Sequence, residues 1–272
     1  MLYMFSGPDF LYANAFYPNA ETYVLSALEP VGPIPKMTRH SPGARAGALL
    51  ELRSSMEAVL SYSFFITKHM KSDLNSGNMR GALPVLYVFL ARGGNSINKV
   101  EFIAMNPDGA IVPRGKKRAK GSSPGVRIAF SDKGGIARKL YYFQTDLSNG
   151  GLKRSGFRAF SKALGPADSL IKSASYLLHS GNFTVARDFL FEQSKVIVQD
   201  DSGIPLRHFS KNTWTLQPFG KYIGPINVFP KQYQREMKQL FSSGHAKPVK
   251  FGIGYRWRTH ETNVLLAIKK KP

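Results

Sequence analysis

The sequence predicts an α+β protein, with a mostly antiparallel sheet and a block of helices in the middle of the chain. Short apolar stretches flank turn signals such as Gly93-Gly94 and Lys133-Gly134-Gly135, a pattern typical of antiparallel hairpins. Residues 155–194 carry helical patterns instead, with breaks at Gly165-Pro166 and at His179-Ser180-Gly181-Asn182. Together these patterns favour α+β over an all-α or all-β class.

Length and composition limit the class of protein further. A chain of 272 residues can bury a large core, and we expect one domain over 1–272, with two interleaved lobes at about 1–112 and 113–272 as the alternative. The 43% hydrophobic and 12% aromatic content is typical of a globular protein. Because the sequence has no cysteine, disulfides, thiolate metal sites and cysteine nucleophiles are excluded. The sequence contains no run of about 18 apolar residues, so it predicts no membrane helix.

Positive charge is concentrated in the later part of the chain. Residues 1–110 hold 9 basic and 8 acidic residues, whereas residues 111–272 hold 29 and 9, and the formal net charge of the chain is +21. A field of this sign attracts polyanions such as acidic polysaccharide, anionic lipid or nucleic acid. The alternative is that the charge only serves solubility.

Apolar patterns and turn residues predict the elements in chain order. A helix or a strand is expected at 10–17, a buried strand at 22–28 and a long helix at 44–73. Strands are expected at 83–92 and 99–105 around a hairpin, at 110–112, and at 126–131 and 138–145 around a second hairpin. Helices follow at 155–164, 167–180 and 182–194, then strands at 195–198 and 213–217, a helix at 230–242, and strands at 249–256 and 263–269.

The densest set of ionisable groups follows the predicted strand at 195–198. Asp200 and Asp201 come at its end, and Arg207 and His208 come a few residues later. A carboxylate there could act as a general base with His208 as a proton-transfer partner, and Arg207 could bind substrate charge. Neighbouring strand residues point to opposite faces, so the alternative is an Asx turn plus a surface charge.

Two other segments are candidate ligand-binding sites. Strand alternation would place Arg256 and Arg258 on one face, with Tyr255 on the other, and paired guanidiniums can bind carboxylates or phosphates. The run at 114–120 has five basic residues, among them Lys116, Lys117 and Arg118. It contains no aromatic residues, which favours contact with a polymer backbone or a lipid head group over base stacking.

Several segments resemble a family of bacterial proteins that are typically exported or lipid-anchored and have no established activity. These segments are SGPDFLYA (6–13), LEPVG (28–32), FFIT (64–67), LPVL (83–86), FLAR (89–92), QDDSGIP (199–205) and GYR (254–256). The resemblance implies a periplasmic or cell-envelope location, with an export signal ahead of residue 1. It implies nothing about chemistry, and a cytoplasmic location stays open.

Two functions follow from these observations. The first is an envelope-associated protein that binds an anionic polymer or surface through Arg207, Tyr255, Arg256, Arg258, Lys116, Lys117 and Arg118. The alternative is a hydrolase or lyase on an acidic substrate that uses the Asp200, Asp201 and His208 region. No zinc, dinucleotide or phosphate-loop motif occurs, so we expect no metal and no cofactor. Nucleic acid is a less favoured partner because no recognition motif occurs, and no feature predicts an oligomeric state.

Overall fold

Ten strands form one mixed sheet in the computed structural model, which describes residues 1–35, 80–113 and 119–271, together with 41–44, 46–47, 49–50 and 52–53. The strands are β1 (Leu2–Met4), β2 (Thr22–Ala27), β3 (Ser96–Met105), β4 (Ile111–Pro113), β5 (Ser123–Ser131), β6 (Ala137–Gln144), β7 (Ala167–Ile171), β8 (Ser194–Gln199), β9 (Trp214–Gly220) and β10 (Asn263–Lys269). Their order across the sheet is β4-β3-β5-β6-β2-β1-β7-β8-β10-β9.

The α+β class is confirmed, but the prediction of a mostly antiparallel sheet is wrong. Five central strands, in the order β6-β2-β1-β7-β8, pair in parallel. The flanking pairs β3–β4, β3–β5, β5–β6, β8–β10 and β9–β10 are antiparallel. Hairpins reveal local antiparallel pairing in a sequence, whereas parallel pairs need long crossover connections and leave no comparable signal.

Helices cover both faces of the parallel strands. Among the described residues, α1 (Phe10–Phe16) and α2 (Ala82–Arg92) lie on one face, and α3 (Asn149–Arg154), α4 (Phe157–Ala163) and α5 (Thr184–Gln193) lie on the other. Helix α6 (Arg235–Ser242) packs against β9. Alternation along β1 sends Tyr3 into the core beneath α1 and α2, and Leu2 and Met4 into the core beneath α3, α4 and α5. The parallel strands therefore form the middle of three layers, which is the arrangement that buries both faces of such strands.

Three predicted elements are wrong. Residues 83–92 form helix α2 rather than a strand, because a continuous apolar run does not distinguish a buried helix from a buried strand. Pro84 fits there because it lies in the first turn of the helix. The segment 167–180 begins with strand β7 instead of a helix. Residues 249–256 form no strand beyond one isolated bridge between Ile253 and Arg256.

Other predicted elements are confirmed. The strand at 22–28 is β2, the strand at 263–269 is β10, and the hairpin around Lys133-Gly134-Gly135 joins β5 to β6. The segment at 10–17, for which helix and strand stayed open, is helix α1. Most of the predicted helix at 44–73 lies outside the described residues. The described positions 42–44, 46–47, 49–50 and 52–53 are helical.

Candidate functional site at the carboxyl ends of the parallel strands

Strand order identifies one edge of the sheet as the place for a site. From β1 the chain crosses through α1 to β2 on one side, and from β7 it crosses through α5 to β8 on the other side. Loops that leave β1 and β7 at their carboxyl ends therefore turn in opposite directions. In open parallel sheets this reversal opens a crevice in which ligands bind.

Backbone strain is concentrated at this crevice. Four non-glycine residues in the described part of the chain have a positive φ: Phe5 (61°) directly after β1, and Ser173 (52°), Ser175 (51°) and Tyr176 (53°) directly after β7. Each such conformation costs about 1–3 kcal/mol and persists only where the surroundings fix it. Strain of this kind clusters at functional sites, so the two loops are candidates for one.

A buried ion pair joins the two loops. Asp9 follows β1 and caps α1, accepting a hydrogen bond from the Tyr12 N–H at 3.1 Å. Its other oxygen accepts from the Tyr3 hydroxyl at 3.0 Å and lies 2.9 Å from the Lys172 Nζ. Burial and the Asp9 carboxylate raise the pKa of Tyr3 well above its usual value, so that phenol remains a donor. Lys172 directly follows β7, and its ammonium also lies 3.9 Å from the centre of the Tyr12 ring.

Asp200, at the end of β8, holds the strained loop in place. One oxygen accepts from the Ser173 N–H at 3.0 Å, and the other accepts from the N–H of Ser202 at 3.0 Å and from its hydroxyl. The hydroxyl of Ser202 in turn accepts from the Ala174 N–H at 2.8 Å. The bond from the Ser202 N–H closes the Asx turn that the sequence suggested as an alternative to a catalytic role.

Asp201 belongs to a separate buried network. Its two oxygens accept from the Tyr176 hydroxyl at 2.6 Å and from the Asn263 side-chain amide at 3.2 Å. Burial, with the neighbouring Asp200 carboxylate as a second cause, raises the pKa of Asp201 to about 7. Burial also raises the pKa of Asp200. Through these hydrogen bonds both carboxylates stabilise the loop after β7.

A pocket of about 120 Å³ opens in front of the two loops. Its lining comes from β1 and β2 and from the segments that follow β1, β2, β6 and β7. The lining residues include Tyr3, Phe5, Ser6, Gly7, Asp9, Ala27, Leu28, Glu29, Asp146, Leu147, Lys172, Ser173, Ala174, Ser175, Leu177 and Phe183. An apolar lining with a few converging polar groups is typical of a small-molecule site. Asp200 and Asp201 are not among these lining residues.

Two polar atoms of this pocket lack a partner. Glu29 is only 7% exposed, and its Oε2, like the Oγ of Ser173, is buried without a hydrogen bond in the described part of the chain. Buried polar groups are nearly always paired, so such atoms call for an explanation, and a bound ligand is one. Burial raises the pKa of the Glu29 carboxyl.

The residues that the sequence suggested for catalysis and ligand binding are spread over several places. His208 and Arg207 lie on an exposed short helical turn at 206–208, and neither is among the residues that line the pocket. Burial, followed by the nearby Arg187 charge, lowers the pKa of His208. The structure thus separates His208 from the pocket, while Asp200 and Asp201 lie behind its wall.

The suggested ligand-binding residues also differ in their surroundings. The Tyr255 hydroxyl donates to the Ser173 carbonyl at 3.0 Å and accepts from the Ser175 N–H at 3.1 Å, so it supports the strained loop. Arg256 donates to the Pro225 carbonyl at 2.8 Å and lies 3.9 Å from Glu261, while Arg258 is exposed. The expected strand alternation of Arg256 and Arg258 is therefore wrong. Lys116, Lys117 and Arg118 lie outside the described residues.

Sequence reasoning missed Glu29 and Lys172. Lys172 was assigned to the interior of a helix, so its place at the carboxyl end of a parallel strand was hidden. Glu29 lies in a Pro-rich connector, where a carboxylate ordinarily faces solvent. Asp9 ends the segment Ser6-Gly7-Pro8-Asp9, whose residues favour a plain turn over a catalytic serine or aspartate. A parallel-strand assignment for β1, β2 and β7 would have placed all three at one sheet edge.

Neither a cluster of metal ligands nor a membrane-spanning helix is found in the described part of the chain. It holds no group of three or more His, Asp or Glu placed to bind a metal ion. None of its helices has both the length and the apolar character needed to cross a membrane.

Comparisons with protein families, with curated proteins and with solved structures find no match.

Proposed function

We propose that this protein is an enzyme that acts on a small molecule in the pocket at the carboxyl ends of β1 and β7, as a hydrolase or lyase that works by proton transfer. The observation that carries the proposal concerns Glu29, a residue of the pocket lining whose buried Oε2 has no hydrogen-bond partner among the described residues. The Asp9–Lys172 ion pair lines the same pocket. The strained backbone of the surrounding loops supports it.

Glu29 is the proposed proton-transfer group. A general acid or base works best when its pKa lies near the working pH, and burial raises the pKa of this carboxyl in that direction. Its main-chain carbonyl accepts from the buried Tyr142 hydroxyl at 2.9 Å, which fixes the backbone that carries it. A fixed carboxyl with an unsatisfied oxygen can exchange a proton with a bound substrate.

Lys172 is the proposed electrostatic group. Its ammonium is held by Asp9 and lies over the Tyr12 ring, so the charge stays fixed while a reaction proceeds. A preorganised positive charge stabilises negative charge that develops on a substrate oxygen. Ser173, next in the chain, also lines the pocket, and its hydroxyl, which has no partner among the described residues, is the proposed hydrogen-bond donor to such an oxygen.

The test is an untargeted search for turnover. The protein is incubated with a metabolite extract, and mass spectrometry follows compounds that disappear or form. We expect changes with the wild-type protein and with Glu236→Gln, an exposed carboxylate on α6, but not with Glu29→Gln. A general base typically contributes about 10²–10⁴-fold to a rate, so the loss would be clear. Changes that persist in Glu29→Gln would refute its role, and no change with any protein would count against an enzyme.

A second candidate function, binding of an anionic polymer or surface in the cell envelope, has one supporting observation. In the loop at 247–258, Lys247, Lys250 and Arg258 are exposed, and so are the aromatic rings of Phe251 (48%) and Trp257 (41%). The backbone of Gly252 lies against that of Trp257, which brings the segments that carry Phe251 and Trp257 close together. Exposed rings beside cations suit an anionic sugar polymer.

Binding of the wild-type protein to heparin tests the second candidate. We expect affinity that falls steeply with salt and that drops further in Lys250→Ala/Arg258→Ala than in Lys153→Ala/Arg154→Ala, a matched pair at the end of α3. Equal losses in the two variants would mean that only the net charge of +21 matters.

A further inference from the structure

Charge is inverted in the pocket relative to the whole chain. The chain has 38 basic and 17 acidic residues, yet three carboxylates (Asp9, Glu29 and Asp146) and one amine (Lys172) line the pocket. Asp9 and Lys172 balance each other at 2.9 Å. The remaining carboxyl groups are those of the buried Glu29 and the exposed Asp146, and any charge that they carry is negative.

The unpaired oxygen of Glu29 specifies what the ligand must supply. An ionised carboxylate only accepts hydrogen bonds, so the buried Oε2 needs a donor that the described part of the chain does not provide. An anionic ligand would meet this oxygen with repulsion. The ligand must therefore place a positive group, or at least a hydrogen-bond donor, within reach of Glu29.

The rest of the pocket suits the body of such a ligand. The Phe5 and Phe183 rings meet edge to face with centres 5.8 Å apart, and both line the pocket together with Leu177. Aromatic faces attract cations and apolar side chains bind hydrocarbon. A volume of about 120 Å³ suits a compound with one ring or a short chain rather than a polymer.

We infer that the pocket binds a small organic ammonium compound, with the cation at Glu29 and the apolar part against the Phe5 and Phe183 rings. This inference rests on the proposed function, since it names the substrate class of the same site. It replaces the acidic substrate that the sequence suggested. An amine also suits Glu29 chemically. A carboxylate that binds an ammonium can accept the proton that the ammonium loses when it becomes the free amine.

Three probes of nearly equal shape test the charge requirement. Phenethylamine, 2-phenylethanol and 3-phenylpropanoate present a cation, a neutral hydroxyl and an anion on the same body. Ligand-observed NMR on the full chain, with each probe at about 1 mM, detects the weak affinities expected of fragments. We expect phenethylamine to bind about tenfold more tightly than the alcohol, and the carboxylate to bind most weakly.

Glu29→Gln keeps the shape of the side chain and removes the charge. We expect it to lower the affinity for phenethylamine about tenfold and to leave the alcohol nearly unchanged, while Glu236→Gln changes neither. Circular dichroism spectra and melting curves of both variants check that they fold.

Each outcome supports or overturns a defined statement. Preference for the alcohol or the carboxylate would overturn the ammonium class and leave the pocket as a candidate active site. Phenethylamine binding that survives in Glu29→Gln would overturn the position of the cation at Glu29. Binding of none of the three probes would overturn both the ligand class and the proposed site.

Discussion

The buried ion pair between Asp9 and Lys172 gives the sharpest test of the structure. Both side chains are about 2% exposed, and their charged atoms are 2.9 Å apart. Removing one member of a buried pair typically costs 3–5 kcal/mol, roughly, because the other charge stays buried without its partner. In Lys172→Met, the Tyr3 hydroxyl and the Tyr12 N–H still donate to Asp9, so we expect the lower end, about 3 kcal/mol.

The double variant Asp9→Asn/Lys172→Met should be much less costly. Asn keeps an oxygen for the Tyr12 N–H and gains an amide that can donate to the Tyr3 hydroxyl oxygen, while Met fills the volume of the lysine stem. Replacing both members of a buried pair by neutral groups is often nearly neutral for stability. We therefore expect the double variant to be more stable than Lys172→Met by about 2 kcal/mol.

Urea denaturation followed by circular dichroism measures these differences. With a slope of about 2–3 kcal/mol per molar urea, the single substitution should lower the midpoint by about 1 M or more, and the second should restore most of it. Lys195→Met, an exposed lysine on β8, serves as the control and should leave the midpoint nearly unchanged. A loss below about 1 kcal/mol for Lys172→Met, or equal losses for the single and double variants, would refute the pairing.

Three further predictions concern packing and pH. The methyl group of Gly254→Ala (φ 70°) would overlap the Asp200 carboxylate, whereas that of Gly244→Ala (φ 81°) would enter open space. Gly254→Ala should therefore lower the free energy of unfolding, measured by urea denaturation, by at least about 2 kcal/mol more than Gly244→Ala. Equal losses would contradict this packing. The pKa of Asp201 is raised from 3.8 to about 7, so the native state binds its proton more tightly and stability falls as pH rises from about 4 to 7. Asp201→Asn should accordingly gain stability relative to the wild type over that range, and a constant difference in melting temperature would contradict the shift. Because the pKa of Glu29 is raised above 4.5, affinity for phenethylamine should increase as pH rises from 4.5, and Glu29→Gln should lack this slope in NMR titrations.

Local elements of the fold could be predicted where local patterns determine them. The hairpin of β5 and β6 follows from its Gly-Gly turn, and β10 follows from an apolar run with clear ends. The parallel pairing of β1 with β2 and β7 could not be predicted, because its partners lie about 20 and more than 160 residues away. The assignment of β7 as a helix was the costliest error, since it hid the carboxyl end on which Lys172 lies.

The site could be predicted only in part for related reasons. The Asp200-Asp201 pair was found because carboxylates after an apolar strand are conspicuous, and the Asx turn at Asp200 was among the expected alternatives. The positive φ values of Phe5, Ser173 and Tyr176 had no signal, because these residue types rarely adopt that conformation. Only the tertiary hydrogen bonds of the folded chain impose it.

The loop after β7 connects the residues that the sequence suggested with the pocket that the structure contains. Asp200 binds the N–H of Ser173, and Tyr255 binds both the carbonyl of Ser173 and the N–H of Ser175. These three bonds fix the backbone at Ser173 and beside Lys172, two residues that line the pocket. Buried carboxylates that are fully hydrogen-bonded suit such a positioning role. Glu29 lines the pocket and has an oxygen without a hydrogen bond in the described part of the chain, which suits proton transfer.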